Sequence, residues 1–201
     1  HQTLSVGLVG VGLIGGTLMK QIKAQKEILL KQFDLDLRVR GICNSKNMLL
    51  AEPCSLDEHR LEQEGESLDW EKFCKHIKPD HIPHGVILDC TASSEVGELY
   101  PKWLKQGIHI VTPNKKANSE GMQLYNELRD IVGMNGDERE LKKNRHYFYE
   151  TTVGAGLPII STLRDLIKTG DKILKIEGVF SGTLSYIFNE YKLGMNFSDV
   201  V

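Results

Sequence analysis

Val6-Gly7-Leu8-Val9-Gly10-Val11-Gly12-Leu13-Ile14-Gly15-Gly16 carries an apolar strand straight into a glycine-rich turn. A short apolar run is what a parallel strand buried on both faces requires. Gly10, Gly12 and Gly15 then form G-x-G-x-x-G, and an amphipathic segment follows at once. This context predicts a dinucleotide site. Gly10 takes the tight turn, Gly12 lets backbone approach a pyrophosphate, and Gly15 lets the following helix pack close to the strand. The helix N-terminus, beginning at Leu13 and Ile14, offers unpaired N–H groups and a partial positive charge to the phosphates.

The rest of the chain is consistent with a parallel α/β architecture. Ile14, Leu18, Ile22 and Leu29 recur at helical spacing, with Lys20, Lys23, Gln25, Lys26 and Glu27 on the other face. Leu37–Cys43 reads as a second strand, Gly85–Cys90 as a buried third, Ile108–Thr112 as a fourth and His146–Tyr149 as a fifth. Ser45 to His84 is polar, with weak helical signals at Asp57–Gln63 and Trp70–Ile77, and reads as a surface excursion. Ser93 or Ser94 caps a helix through Val96, Leu99, Trp103 and Leu104, which Pro101 bends or delays. Met122 to Val132 reads as a further helix, and Gly133 to Asn144 as a hydrophilic loop. A helix over Pro158–Lys168 leads to Lys172–Phe180, whose Ile173, Leu174, Ile176 and Val179 read as a strand. Strands alternating with helices predict a Rossmann-type, doubly wound, mostly parallel sheet over 1–156, and Ser181–Phe188 reads as the opening of a new unit. Ligands of such sheets bind beyond the carboxyl ends of the strands. The loops at Gly10–Gly15, Asn44–Lys46, Thr91–Ser94, Pro113–Lys116 and Val153–Gly156 are therefore expected to share one crevice.

Size and charge narrow the function. The 201 residues are 40% hydrophobic and 26% charged, a composition of globular proteins. A net charge of −2 leaves no electrostatic footprint for nucleic acid or an anionic membrane. No apolar run approaches the ~20 residues of a membrane-spanning helix. The start at His1-Gln2-Thr3, with no Met, reads as a piece of a longer chain. Cys43, Cys54, Cys74 and Cys90 lack metal-ligand spacing, and Cys43 and Cys90 lie in apolar runs, which suits a reducing compartment.

The nucleotide's identity is read after the second strand. NAD sites place an acid there for the ribose 2′-OH. This chain has Asn44, Ser45 and Lys46, with Arg40 nearby, and Asp34 and Asp36 lie before the strand. NADP is thus favoured, with NAD possible. For chemistry, Lys115 stands at a strand's carboxyl end beside Pro113, facing the nicotinamide. An alcohol that loses hydride must also lose a proton, and a lysine whose pKa is lowered by burial or by Lys116 takes it. Glu150 is a second acid, base or cation ligand. Cys90 is either a core thiol or the nucleophile of an acylating dehydrogenase, which would need an adjacent base, and His109 is too far along the chain to count on for that.

Taken together, VGLVGVGLIGGTL, DCTAS, VTPNKKANS, YETTVGAGLPIISTL and GDKILKIEGVFSGTLSYIFN resemble the homoserine dehydrogenase family over nearly the whole chain. GICNSK and the insertion after it look most like the dehydrogenase half of bifunctional aspartokinase–homoserine dehydrogenases, and ETTVGAG leans toward the plant side.

The resemblance implies NAD(P)-dependent interconversion of L-homoserine and L-aspartate 4-semialdehyde, on the way to threonine and methionine. It implies that 157–201 begins a second, α+β domain for substrate and dimerisation, with an upstream aspartokinase region, a homodimer or larger assembly, and a plastid location in a plant or alga, otherwise a cytoplasmic one. Carried over by motif, the catalytic lysine falls on Lys115, which also borders the cofactor. Nucleotide contacts fall on Gly10, Gly12, Leu13, Ile14, Gly15, Asn44, Ser45, Lys46, Thr91, Ala92 and Ser93. The family's monovalent cation, often sodium, maps to Glu150, Val153, Ala155 and Leu157, mostly through backbone carbonyls. Family members also carry a substrate-binding D-L-x-G-x-D-x-x-R-K stretch that these 201 residues lack. The expectation is cofactor binding without steady turnover by this chain alone. An acylating semialdehyde dehydrogenase using Cys90 and a non-catalytic nucleotide-binding module are the alternatives.

Overall fold

The computed structural model of the chain describes residues 2–51, 58–134 and 143–201. Its first strand, β1 (Gln2–Val9), is buried from Ser5 onward, as a strand covered on both faces must be. It lies between β2 (Leu35–Cys43) and β5 (His84–Asp89), parallel to both. Val9 pairs with Cys43 on one side and with Asp89 on the other, so three carboxyl ends finish level. Beyond β5 come β6 (Ile108–Val111) and β7 (Tyr147–Phe148), also parallel. On the other flank β3 (Asn47–Leu50) turns back antiparallel along β2, and β4 (Glu66–Ser67) adds antiparallel to β3. The order β4-β3-β2-β1-β5-β6-β7 places the topological switch between β1 and β5. That is where a doubly wound sheet opens its ligand crevice. The expected α/β architecture is present.

Helices cover this sheet: α1 (Leu13–Phe33), α2 (Glu58–Glu64), α3 (Trp70–Ile77), α4 (Ser94–Glu98), α5 (Tyr100–Lys105), α6 (Lys116–Ser119) and α7 (Met122–Ile131). The α1 helix ends where Asp34 turns left-handed at φ 54° and donates its N–H to the Leu29 carbonyl. Leu18 and Met19 lean on the Leu8–Ile42 cluster, whereas Ile14, expected on the same apolar face, is 57% exposed. Pro101 sits in the first turn of α5, where its missing N–H costs nothing, and the predicted single helix is accordingly two.

The Ser45–His84 stretch is not the surface excursion its average polarity suggests. It supplies β3, β4 and α3, and Phe73, Cys74 and Ile77 of α3 are core residues. Asp69 caps α3 by accepting from the N–H groups of Glu71 and Lys72. Trp70 packs against Trp103, with ring centroids 5.2 Å apart, and so ties α3 to α5. Cys54 and most of the expected 133–144 loop lie outside the described residues.

Backbone contacts divide the chain into His1–Tyr149 and Glu150–Val201. The second unit holds α8 (Ile159–Lys168), α9 (Gly182–Glu190) and 3₁₀ turns at Glu150–Thr152 and Phe197–Asp199. Lys172–Phe180, read from its apolar alternation as a strand, is not one. Apolar alternation becomes a strand only where a neighbour takes up its N–H and C=O groups. Among the described residues none does, and Leu174 and Val179 stand 85% and 77% exposed.

Candidate functional site

The carboxyl edge of the sheet gathers four of the five loops expected to share a crevice. Gly10 leaves β1 with φ at +87°, a left-handed turn that an L side chain rarely adopts. Its N–H donates to the Cys43 carbonyl at 2.8 Å, holding the turn against the end of β2. A Cβ on Gly15 would stand 1.9 Å from the Gly10 carbonyl oxygen, so α1 reaches the turn only because Gly15 has none. Gly12 is different: a Cβ there would meet nothing within 4 Å. Gly12 is also the N-cap of α1, which has neither a side-chain cap nor an acid in its first turn. By contrast Asp69, Ser93 and Ser181 cap α3, α4 and α9. The first N–H groups of a 21-residue helix therefore face open space at the switch point. An anionic diphosphate suits such an uncapped terminus.

Asn44, Ser45 and Lys46 form the tip of the β2–β3 hairpin. The Asn44 side chain builds the turn, its Oδ1 accepting from the N–H groups of Lys46 and Asn47 at 2.9 and 2.7 Å. Ser45 and Lys46 are exposed, while Arg40, the third cationic or polar helper, is 93% covered within β2. Lys46 is thus the cation presented at this tip.

Thr91, Ala92 and Ser93 leave β5 and meet Asn114, Lys115 and Lys116 leaving β6. The joint is the carboxyl group of Asp89, which is fully buried. Asp89 Oδ1 accepts from Thr91 N at 2.8 Å, and Oδ2 accepts from Asn114 Nδ2 at 2.9 Å and from the Tyr100 hydroxyl. Burial, and then the Asp89 charge, push the Tyr100 phenol far above its ordinary range, so that it stays protonated and donates. Asn114 Nδ2 also donates to the Ser93 carbonyl at 2.9 Å, and Asn114 Oδ1 accepts from Lys116 N at 3.1 Å. Thr112 Oγ1 donates to the Asp89 carbonyl and accepts from Asn114 N, both at 2.8 Å. Ser93 Oγ caps α4, accepting from Val96 N at 3.3 Å.

Lys115 stands at the N-cap of α6 and is exposed, so the expected burial of its amine is not found in this chain. Lys116 is drawn aside to Glu120 at 2.7 Å. Cys90 is half-buried, and burial followed by the Asp89 charge pushes its thiol up to about 11. Half-burial and the upward push on its thiol favour the core-thiol alternative for Cys90. His109 lies at the other end of the sheet, with its ring 6.2 Å from that of His84 and 5.1 Å from that of His146.

In the second unit both carboxylate oxygens of Glu150 are engaged. They accept from Ile160 N at 2.9 Å and Ser161 N at 2.8 Å and so cap α8. Gly154 and Ala155 follow in left-handed conformations, at φ 72° and 50°. The turn through Val153, Ala155 and Leu157 is closed by Leu157 N donating to the Gly154 carbonyl at 3.0 Å. No group of three or more His, Cys, Asp or Glu able to hold a metal occurs among the described residues.

A mostly parallel sheet with a glycine turn and an uncapped helix N-terminus at its switch point defines an NAD(P)-binding α/β protein. The family model "Homoserine dehydrogenase, NAD binding domain" matches residues 10–139, and the model "Homoserine dehydrogenase" matches residues 158–201. The chain belongs to the homoserine dehydrogenase family. It is 52% identical to the chloroplastic bifunctional aspartokinase/homoserine dehydrogenase 1 of Arabidopsis thaliana, over 99% of this chain and 21% of that protein. It is 36% identical to a homoserine dehydrogenase of Schizosaccharomyces pombe, over 98% of this chain and 53% of that one. Among solved structures, a hyperthermophilic archaeal homoserine dehydrogenase in complex with NADPH superposes with a TM-score of 0.73 at 23% identity. That match covers 98% of this chain and 59% of the archaeal one, a likeness of fold. The chain thus spans about a fifth of the length of the plant relative and about half that of the yeast one.

Proposed function

We propose that the full-length protein interconverts L-homoserine and L-aspartate 4-semialdehyde, with NADP preferred to NAD. The observation that carries this reading is the uncapped α1 N-terminus at the same carboxyl edge of the sheet as the Lys115 turn, in a chain whose two parts both match the family. A bound nicotinamide would supply the hydride acceptor for the alcohol carbon, and the hydride donor for the aldehyde in reverse. Lys115 takes the hydroxyl proton as the carbon–oxygen double bond forms, and gives it back in the reverse direction. The N–H groups of Leu13, Ile14 and Gly15 and the open space at Gly12 hold the pyrophosphate. Thr91, Ala92 and Ser93 line the crevice between it and the Lys115 turn. Ser45 and Lys46 receive the 2′-phosphate, where a charge-assisted contact is worth roughly 1.5–3 kcal/mol.

A monovalent cation such as sodium fits the backbone carbonyls of Glu150, Val153, Ala155 and Leu157. The Glu150 carboxylate already caps α8, which leaves its carbonyl as the ligand. Hard cations take such oxygen donors. The bifunctional relatives further support an upstream aspartokinase region, and the chloroplastic ones a plastid location in a plant or alga. A homodimer is the proposed assembly.

The test is nicotinamide reduction by the full-length protein with L-homoserine, followed by absorbance. We expect homoserine-dependent reduction of NADP, tighter binding of NADPH than of NADH, and unchanged turnover in Cys90→Ser. Loss of all turnover in Cys90→Ser, with semialdehyde oxidised only when an acyl acceptor is supplied, would instead establish the acylating reaction.

A further inference from the structure

We propose that Asn114 is a positioning residue, a clamp that holds the Lys115 turn and the Thr91–Ser93 loop on the single buried carboxyl of Asp89. The proposal rests on the dehydrogenase reading above and adds to it how the lysine is aimed. Asp89 is fully buried and Asn114 is 2% exposed, so neither side chain can exchange its partners for water. All three hydrogen bonds at the Asp89 carboxyl come from donors: Thr91 N, Tyr100 OH and Asn114 Nδ2. An amide has one donor end and one acceptor end. With the donor end of Asn114 turned to Asp89 and to the Ser93 carbonyl, its acceptor end must face the opposite way. There it takes Lys116 N at 3.1 Å, fixing the peptide that follows Lys115. Thr112 Oγ1 holds the Asn114 backbone from the other side through Asn114 N at 2.8 Å. Lys115 is exposed at the N-cap of the four-residue α6, where Asn118 N and Ser119 Oγ hold only its carbonyl. Of the residues described in its turn, only Thr112 and Ala117 are buried as deeply as Asn114. Its aim therefore depends on this clamp. One substitution should loosen the Lys115 turn while leaving the Thr91–Ser93 loop tied to Asp89 through Thr91 N, and the pyrophosphate turn at Gly10–Gly15 intact.

The experiment uses the full-length protein and four forms: parent, Asn114→Ala, Lys115→Ala and the double variant. Homoserine-dependent kcat is measured together with the Kd for NADPH by fluorescence titration. A misplacement on the order of 1 Å at a reacting group can cost about 100-fold in rate. We expect Asn114→Ala to lower kcat by about 10- to 100-fold and to change Kd for NADPH by less than about 3-fold. We expect the double variant to be no slower than Lys115→Ala, because a clamp acting through the lysine has nothing left to aim. A merely structural role would make the two losses multiply. Full activity of Asn114→Ala, or multiplicative losses, overturns the clamp while the lysine assignment stands. Full activity of Lys115→Ala overturns the lysine assignment and the clamp with it. Where Asn114→Ala does not fold, Tyr100→Phe serves: it removes one donor from Asp89 and keeps the ring in the core. It is expected to show the same non-multiplicative pattern with a smaller loss, and multiplicative losses there overturn the clamp equally.

Discussion

Gly12 and Gly15 lie three residues apart in one turn and are required for opposite reasons. Gly15 is filled by its own fold, since its missing Cβ is replaced by the Gly10 carbonyl; Gly12 is left for something the fold does not supply. Gly15→Ala is therefore expected to overpack the turn and cost about 1–3 kcal/mol of stability. Gly12→Val should change stability by no more than about 1 kcal/mol, the range of N-cap exchanges. It should nonetheless weaken NADPH at least ~10-fold, because a side chain stands where the phosphate would lie. Chemical unfolding and calorimetric titration separate the two, and undiminished nucleotide binding by Gly12→Val would remove the glycine turn from the account. These roles were legible in the sequence because glycine chemistry is local. Asp89 and Asn114 were not. Their partners lie 11 and 25 positions away along the chain, at Tyr100 and between each other, and no local spacing announces such a bond. The signal available was an acid closing an otherwise apolar strand, Gly85–Cys90, which a buried strand does not tolerate without donors.

At the level of elements, periodicity identified β1, β2, β5, β6 and α7 because each buries a whole run or a regular stripe. It under-read α3, where three buried side chains in eight residues sit among charges. It over-read Lys172–Phe180, where alternation is present and a partner strand is not. The sheet also holds a feature with consequences for pH. His109 on β6 lies between His84 at the start of β5 and His146 just before β7. Burial, followed by His146, His84 and Lys78, pulls the His109 ring down to about 4, from 6.5. On unfolding the ring regains its ordinary affinity for protons. Between about pH 6.5 and 4 the unfolded chain then binds more protons, so stability contributed here is full above that window and falls as pH drops through it. Urea midpoints near neutral pH and near pH 5 should show the loss, and His109→Gln should reduce it. An equal acid loss in His109→Gln would place the acid sensitivity elsewhere.

For the molecule as a whole, the sequence carried the fold class and the cofactor class, because a strand–glycine turn–helix unit specifies both at once. It could not carry the burial of Lys115, which depends on what packs over an exposed loop; in this chain that amine lies open. The 201 residues match both family models and span about a fifth of the plant relative. The most direct measurement compares homoserine-dependent NADP reduction by the full-length protein with that of its Lys115→Ala variant. Both are to be titrated with NADPH under the same conditions. The account predicts a loss of at least ~100-fold in kcat, the low end for general acid–base catalysis, with nucleotide affinity changed far less. A Lys115→Ala protein that oxidises homoserine at the parent rate would contradict it.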